Sequence, residues 1–327
     1  MAGGVIYQAG SLLALFESAC NPRGVFVREW GKKGMEPSTE TNPTTLTTYK
    51  YLSAAGALRN LREGSVYLAH RDQLNDTLEA RFDLVDSEAF LDVALKTVNE
   101  VARMRRERRW SLRATSTQEF AEVTRKEDEN FRSFCENIGI CSLAQRPDHQ
   151  AMWAYYSDWG RGVCFELEWT HELMEMHQLW LHPVHYTNAP RILNRAEDWR
   201  AEFLQLPVRY PEKSLEELLD YILEKDFRRR YGIRSAARSV SIKHTDWQHE
   251  QELRLLGPHS RVALPVLRAT LRRVHYLQLS EEVAEVFRYL FQNYPKMDVV
   301  WHKFEHGQLS DGQLSNSQIM ELKAVPL

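Results

Sequence analysis

The segment VCFELEW constrains the fold more than any other because its apolar and other residues alternate strictly. Large apolar side chains occupy every second position, namely Val163, Phe165, Leu167 and Trp169. A cysteine and two glutamates fill the positions between them. A repeat of two places successive side chains on opposite faces of a β-strand, so the segment predicts a strand with one buried face.

Several shorter segments predict further strands, and the stretches between them have the repeat of amphipathic helices. The predicted strands are TTYKYLS, SVYLAH, IGICSLAQ and, more weakly, MDVVWHKFEH. The predicted helices are AAGALRNLREG closed by Gly64, a long region over 84–135, one or two helices over 213–240, and SEEVAEVFRYLFQNY. Short strands with unequal helical insertions predict an α+β fold with a small mixed or split β-sheet. The polar run GMEPSTETNPTT indicates an N-terminal extension and linker over 1–45, followed by a single domain over 46–327.

Composition excludes several classes of protein. The net charge of −3 over 327 residues does not predict nucleic-acid binding through the overall charge of the protein. The four cysteines form no CxxC pair and no metal-ligand spacing, which favours reduced thiols in a cytoplasm. No membrane segment and no metal site are predicted. The chain also lacks GxSxG, P-loop, GxGxxG and HExxH patterns, so the common hydrolase, NTPase, Rossmann and zincin assignments have no support.

The stretch DWQHEQELRLL predicts a strand with a charged row on one face. Glu250, Glu252 and Arg254 would point one way, and the leucines between and after them would point to the core. Carboxylates two residues apart along a strand lie on the order of 7 Å from each other. That spacing raises the pKa of one carboxylate while Arg254 keeps the other ionised. We interpret the row as the lining of a polar cleft.

Two other segments carry candidate binding residues. In QLNDTLEA, Asn75, Asp76 and Glu79 directly follow a predicted strand, where polar groups are often functional. In AMWAYYSDWGRG, aromatic residues crowd the positions before a glycine turn, and Arg161 within that turn is suited to a phosphate or carboxylate. The arginine-rich runs 103–109 and 228–238 are interpreted as solvated helix faces, with phosphate binding as the alternative.

Together these segments resemble a bacterial domain family of unknown function, over roughly residues 46–280. The resemblance is carried by Tyr49-Lys50-Tyr51, Asn75-Asp76 with Glu79, Met152-Trp153 with Tyr156, Arg161-Gly162-Val163, and Lys243, Trp247, Glu250, Glu252 and Arg254. The layout also resembles the split-sheet fold of ADP-ribosyltransferases, which implies NAD as the substrate. By that resemblance Glu252 stabilises the oxocarbenium-like transition state and Glu250 activates the acceptor. The remaining residues implied to bind NAD are Tyr49, Lys50, Tyr51, Asn75, Asp76, Trp153, Tyr156, Arg161 and Arg254.

Three alternatives to the transferase hypothesis remain open at this point. A nucleic-acid-binding protein would use the arginines and aromatic residues to hold phosphates and bases. A nuclease would hold Mg²⁺ with Asp76, Glu250 and Glu252. A transferase would instead bind a nucleotide-type small molecule, with nucleic acid or protein as acceptor, and would suit a toxin or anti-phage effector. A scaffold protein with a purely structural polar row is the third possibility.

Overall fold

The computed structural model describes residues 45–75, 80–84, 88–106, 117–189, 192–223, 225–294, 297–305 and 308–312. Almost all of the predicted extension over 1–45 lies outside these ranges. In chain order the strands are β1 Thr45–Leu52, β2 Val66–Leu68, β3 Asp83–Leu84, β4 Gly139–Ala144, β5 Val163–Thr170, β6 Trp180–Pro183, β7 His185–Tyr186, β8 Ile192–Leu193, β9 Ile242–Lys243, β10 Glu252–Gly257, β11 Val262–Leu264, β12 Leu271–Tyr276, β13 Asp298–Glu305 and β14 Gln308–Gly312.

The helices are predominantly short. They are α1 Ala54–Glu63, α2 Glu88–Met104, α3 Thr117–Asn137, α4 Gln150–Tyr156, α5 His171–Met176, α6 Arg195–Phe203, α7 Leu206–Arg209, α8 Leu215–Leu223, α9 Lys225–Ser239, α10 Leu267–Thr270 and α11 Glu281–Asn293, with 3-10 turns at Arg71–Gln73 and Thr245–Glu250. Helices and a mixed sheet together confirm the predicted α+β class.

The described residues form two compact units that interleave along the chain. The helical unit comprises the described residues within 78–137 and 189–242, and the sheet unit those within 45–77, 138–188 and 243–312. The single domain over 46–327 stays a prediction. The helical unit has its own apolar core, in which the rings of Trp199 and Phe203 stack with centroids 5.0 Å apart.

The sheet unit is built on eight strands in the order β14-β13-β12-β5-β1-β4-β10-β6. Strands β12 and β13 are parallel, and the other neighbours are antiparallel. The register joins β1 to β5 along the whole of both strands, from Thr45 opposite Thr170 to Leu52 opposite Val163. In contrast, β1 meets β4 at the single register pair Tyr49–Ala144. The sheet is therefore split between β1 and β4.

Strand β5 confirms the alternation in its sequence. Its four large apolar side chains are between 0 and 1 % exposed, and they join α1 and α11 in the main core. The opposite face of the sheet packs against α4 through Tyr51, Met152 and Trp153. The two faces of the sheet pack against different helices. Successive residues of β1 and β4 therefore point into different environments.

Two turns fix the ends of the elements around β1. Ser53 caps α1 by accepting a hydrogen bond from the Gly56 backbone N–H at 3.2 Å, and Gly64 ends the helix with φ +62°. The predicted glycine C-cap is thus confirmed. Gly162 precedes β5 where a Cβ atom would lie 2.1 Å from the Leu52 carbonyl oxygen, so only glycine allows this approach.

The predicted strand over the DWQHEQELRLL segment is wrong in its first half. Thr245–Glu250 forms a 3-10 turn, Gln251 adopts a left-handed conformation with φ +47°, and β10 begins only at Glu252. His244 caps the turn by accepting from the Asp246 backbone N–H, which provides the local reason for it. Glu252 and Arg254 share a strand face as predicted, but Glu250 belongs to the turn.

Candidate functional site

Four charged side chains are buried together at the start of β10. Lys243 is 2 % exposed, Glu250 2 %, Glu252 3 % and Arg254 0 %. The 3-10 turn carries Glu250 back over the strand, so the two glutamates approach Lys243 from different elements. Two cations and two carboxylates balance in charge. Charges this deeply buried are stable only when they are paired and hydrogen-bonded.

Lys243 bridges the two carboxylates. Its Nζ lies 2.5 Å from Glu250 Oε2 and 3.2 Å from Glu252 Oε2. Arg254 holds Glu252 from the other side, with Nε 3.0 Å from Oε1 and Nη2 3.4 Å from Oε2. The Glu252 backbone N–H donates to the Tyr186 hydroxyl at 2.8 Å. The carboxylate of Glu252 is consequently fixed in orientation from several directions.

The environment changes the acidity of the bridged groups. Burial raises the pKa of Glu252, while the Lys243 ammonium opposes that rise. Burial also disfavours the charge on Lys243, but attraction to Glu252 and Glu250 prevails and raises the pKa of the lysine. Burial raises the pKa of Tyr186 to about 12. Lys243 therefore stays protonated at neutral pH, and Glu252 takes up a proton more readily than an ordinary glutamate.

A short polar chain connects this cluster to Asn75. The Tyr156 hydroxyl donates to Glu250 Oε1 at 2.5 Å and accepts from Asn75 Nδ2 at 2.8 Å. Burial and the Glu250 carboxylate raise the pKa of Tyr156. The phenol therefore stays protonated and orients the carboxylate beside it.

A cavity of about 750 Å³ opens onto these groups, entirely within the sheet unit. Its volume lies within the range of about 300–1,000 Å³ that ligand pockets usually have. The lining contains most of the predicted site residues, namely Tyr49, Lys50, Tyr51, Asn75, Tyr156, Glu250 and Glu252, together with Lys243. The Lys50 ammonium donates to the Ser142 carbonyl of β4 at 2.8 Å, so it spans the split in the sheet.

Three residues predicted to bind NAD do not line this cavity. Trp153 is 1 % exposed and packs edge-on against the Tyr51 ring in the core. Arg161 is exposed and lies 3.3 Å from Asp158. Arg254 is fully buried against Glu252 and acts by fixing that carboxylate. The predictions for Asp76 and Glu79 fall outside the described residues.

Three arginines of the two basic runs make contacts within the helical unit. Arg105 donates to the Tyr210 carbonyl at 3.1 Å, and Arg234 lies 2.9 Å from the buried Glu202. Arg238 pairs with Asp198, which is 1 % exposed. The contacts of Arg234 and Arg238 agree with the interpretation of the run 228–238 as a helix face with carboxylate partners, whereas Arg105 of the run 103–109 donates to backbone carbonyls.

Lys243 belongs to the sequence motifs without a predicted role, and Tyr186 belongs to none of them. Lys243 could have been identified from its position shortly before Trp247 and the two glutamates. Tyr186 could not, because only the tertiary structure brings it to Glu252. A second buried set was also missed. His275 Nε2 lies 3.0 Å from Glu166 Oε2, and its Nδ1 lies 2.8 Å from His302 Nε2.

Within the described residues, no group of three or more histidine, cysteine, aspartate or glutamate side chains is arranged to hold a metal ion. The Lys243 ammonium lies between the Glu250 and Glu252 carboxylates, where a bridging cation would otherwise bind. In the same part of the chain, no helix is both long and apolar enough to cross a membrane.

Comparison with known families agrees with the predicted resemblance. Residues 152–255 match the family model described as Protein of unknown function (DUF2971). The match contains Lys243, Glu250, Glu252 and Arg254, and it begins after the β1 and Asn75 segments. No curated protein and no solved structure matches the chain.

Proposed function

We propose the function from the site itself, because the family model that matches residues 152–255 is of unknown function. The protein cleaves the bond between nicotinamide and ribose in NAD, with water or an acceptor group as the second substrate. The observation that carries this proposal is the pair of buried carboxylates, Glu250 and Glu252, lining a cavity at the split between β1 and β4. Fixed carboxylates stabilise a ribosyl cation more in the transition state than in the ground state.

The proposed roles follow from the contacts. Glu252, fixed by Lys243 and Arg254, stabilises the positive charge that develops on the ribose as nicotinamide leaves as a neutral base. Glu250 accepts the proton of the attacking water or acceptor hydroxyl. The Tyr156 hydroxyl orients the Glu250 carboxylate. With water the products are nicotinamide, ADP-ribose and a proton, so the reaction balances without a metal or a redox partner.

The tyrosines of the lining support an aromatic ligand. Tyr49 and Tyr51 lie on β1, and Tyr156 faces them from α4. Aromatic side chains with one polar end suit a nicotinamide or adenine ring, because they offer an apolar surface and a hydrogen bond. In contrast, a Mg²⁺ nuclease would need Glu250 and Glu252 as metal ligands, and Lys243 already bridges these two carboxylates.

The experiment is a nicotinamide-release assay with the full chain and NAD, with and without nucleic acid or cell extract as a source of acceptor. Glu252→Gln keeps the shape of the side chain and removes its charge, and we expect it to abolish release. Glu168→Gln is the matched control, because Glu168 is a partly exposed glutamate of β5 that pairs with Arg272. No release by the wild type under any condition, or equal release by both variants, contradicts the proposal.

An enzyme that consumes NAD would slow the growth of the cell that makes it, which is the basis for the proposed toxin or anti-phage role. Induced expression of the wild type should lower cellular NAD and growth, and expression of Glu252→Gln should do neither. Equal growth with both proteins at equal abundance would remove the support for that role.

A further inference from the structure

We propose that the cavity holds the phosphate groups of its substrate with Arg59, Arg261 and Lys50. This proposal rests on the proposed function for the identity of the substrate and adds the part of the site that binds its anionic end. None of the sequence motifs pointed to Arg59 or Arg261.

Charge is distributed unevenly along the lining of the cavity. The carboxylates Glu250 and Glu252 are neutralised by their buried partners. Outside that cluster the lining carries three cations, Lys50, Arg59 and Arg261, and the single carboxylate Glu63, while Asp72 outside the lining pairs with Arg261. The remainder of the cavity is therefore cationic and favours an anion.

The register of the split sheet separates the buried carboxylates from Lys50. Glu252 is opposite Ala144, and Ala144 is opposite Tyr49, so these three residues share one face of the sheet. Lys50 alternates with Tyr49 and is opposite Phe165, so it belongs to the other face. The cavity thus extends from the carboxylate face to the Lys50 face where β1 and β4 separate.

The two arginines belong to elements on the Lys50 side of the sheet. Arg59 lies on α1, whose Leu58 and Leu61 pack in the same core as Phe165. Arg261 directly precedes β11, which pairs with β2, and its Nη2 lies 2.6 Å from Asp72 Oδ2. Lys50 donates to a neutral carbonyl, so that contact leaves its positive charge uncompensated.

These positions fit a dinucleotide or another phosphorylated nucleoside. Its ribosyl bond would lie at Glu250 and Glu252, and its phosphates would lie at the arginine side of the cavity. Arginine offers a planar set of donors that matches phosphate oxygens, and bonds between charged groups are the stronger class of hydrogen bond.

The test measures ADP binding to the full chain by isothermal titration calorimetry. ADP carries phosphates but no nicotinamide bond, so it tests the phosphate site independently of the reaction. The variant is Arg261→Gln, and Arg161→Gln is its control. The two arginines are matched, because each is 57 % exposed and pairs with an aspartate that is 53 % exposed, but only Arg261 lines the cavity.

We expect Arg261→Gln and Arg59→Gln each to weaken ADP binding about tenfold or more, as loss of a charge-assisted contact does. Arg161→Gln should bind as the wild type does, and adenosine should bind equally to all four proteins. Pyrophosphate should compete with ADP, which identifies the phosphates as the recognised group. The proposal is overturned when the wild type binds neither ADP nor pyrophosphate, or when Arg261→Gln and Arg161→Gln have equal affinities. If the variants weaken ADP binding but NAD is not cleaved, only the proposed reaction fails.

Discussion

Replacement of Lys243 by methionine should destabilise the sheet unit more than any surface ion pair could. The substitution keeps most of the side-chain volume and removes the ammonium that contacts two carboxylates, each 3 % exposed or less. Breaking a buried pair by removing one partner costs about 3–5 kcal/mol, because the other charge is left uncompensated. A domain of about 150–250 residues loses about 2–4 °C in its unfolding midpoint per kcal/mol, so we expect the midpoint of thermal unfolding to fall by about 6–20 °C.

The chain offers a matched control, an exposed lysine–carboxylate pair with the same separation. Lys96 Nζ lies 2.5 Å from Asp92 Oδ2, as Lys243 Nζ does from Glu250 Oε2, but the Lys96 pair is 74 and 64 % exposed. An exposed pair contributes about 0–1 kcal/mol, so Lys96→Met should change the midpoint by a few degrees at most. Differential scanning calorimetry of both variants and the wild type makes the comparison directly.

The loss in Lys243→Met should also depend on pH. Burial raises the pKa of Glu252 in the folded protein, and Lys243 opposes that rise, so the variant raises it further. A carboxyl whose folded pKa exceeds its unfolded value destabilises the protein as the pH rises above the unfolded value of about 4.3. The difference between variant and wild type should therefore be smaller at pH 5 than at pH 7.5. Equal losses for the Lys243 and Lys96 variants, or a loss that does not change with pH, would refute the account of the buried cluster.

Two further predictions concern the turn before β5 and the tyrosine beside Glu250. Gly162→Ala should lower stability by about 1–3 kcal/mol, because a Cβ atom would clash with the end of β1. Gly232→Ala on α9 should raise stability by about 0.5–1 kcal/mol, because nothing lies within 4 Å of the added Cβ. Chemical denaturation distinguishes the two signs. Tyr156→Phe should reduce nicotinamide release about tenfold or more without loss of folding, because Glu250 loses the hydroxyl that orients it. Tyr155→Phe, an exposed neighbour, should leave release unchanged, and equal rates for the two phenylalanine variants would exclude a role for the hydroxyl.

Local patterns predicted the elements that are fixed by local physics. Strand β5 follows from the alternation of Val163 to Trp169, and the end of α1 follows from Gly64. The segment before β10 was assigned the wrong structure because the leucines after Glu252 have a strand pattern that does not extend upstream. His244 caps a 3-10 turn there, and Gln251 takes a left-handed conformation. Neither the cap nor the reversal at Gln251 leaves a repeat in the sequence.

The candidate site was predictable as a set of residues but not as a geometry. Glu250 and Glu252 were expected to lie side by side along a strand, whereas the structure joins them through Lys243 from separate elements. The position of Trp153 was not predictable either, because an aromatic residue on a short helix is equally compatible with the core and with a ligand. Its burial against Tyr51 depends on the pairing of β1 with β5, and that pairing is a long-range contact.

The most direct test of the central claim is a crystal structure of the Glu252→Gln protein soaked with NAD. The substitution keeps the shape of the side chain, and the variant should not cleave the substrate. The account predicts that NAD lies at the split between β1 and β4, with its nicotinamide ribose in contact with residues 250 and 252 and its phosphates near Arg59 and Arg261. NAD bound at any other place, or an unoccupied cavity at millimolar NAD, would contradict the account.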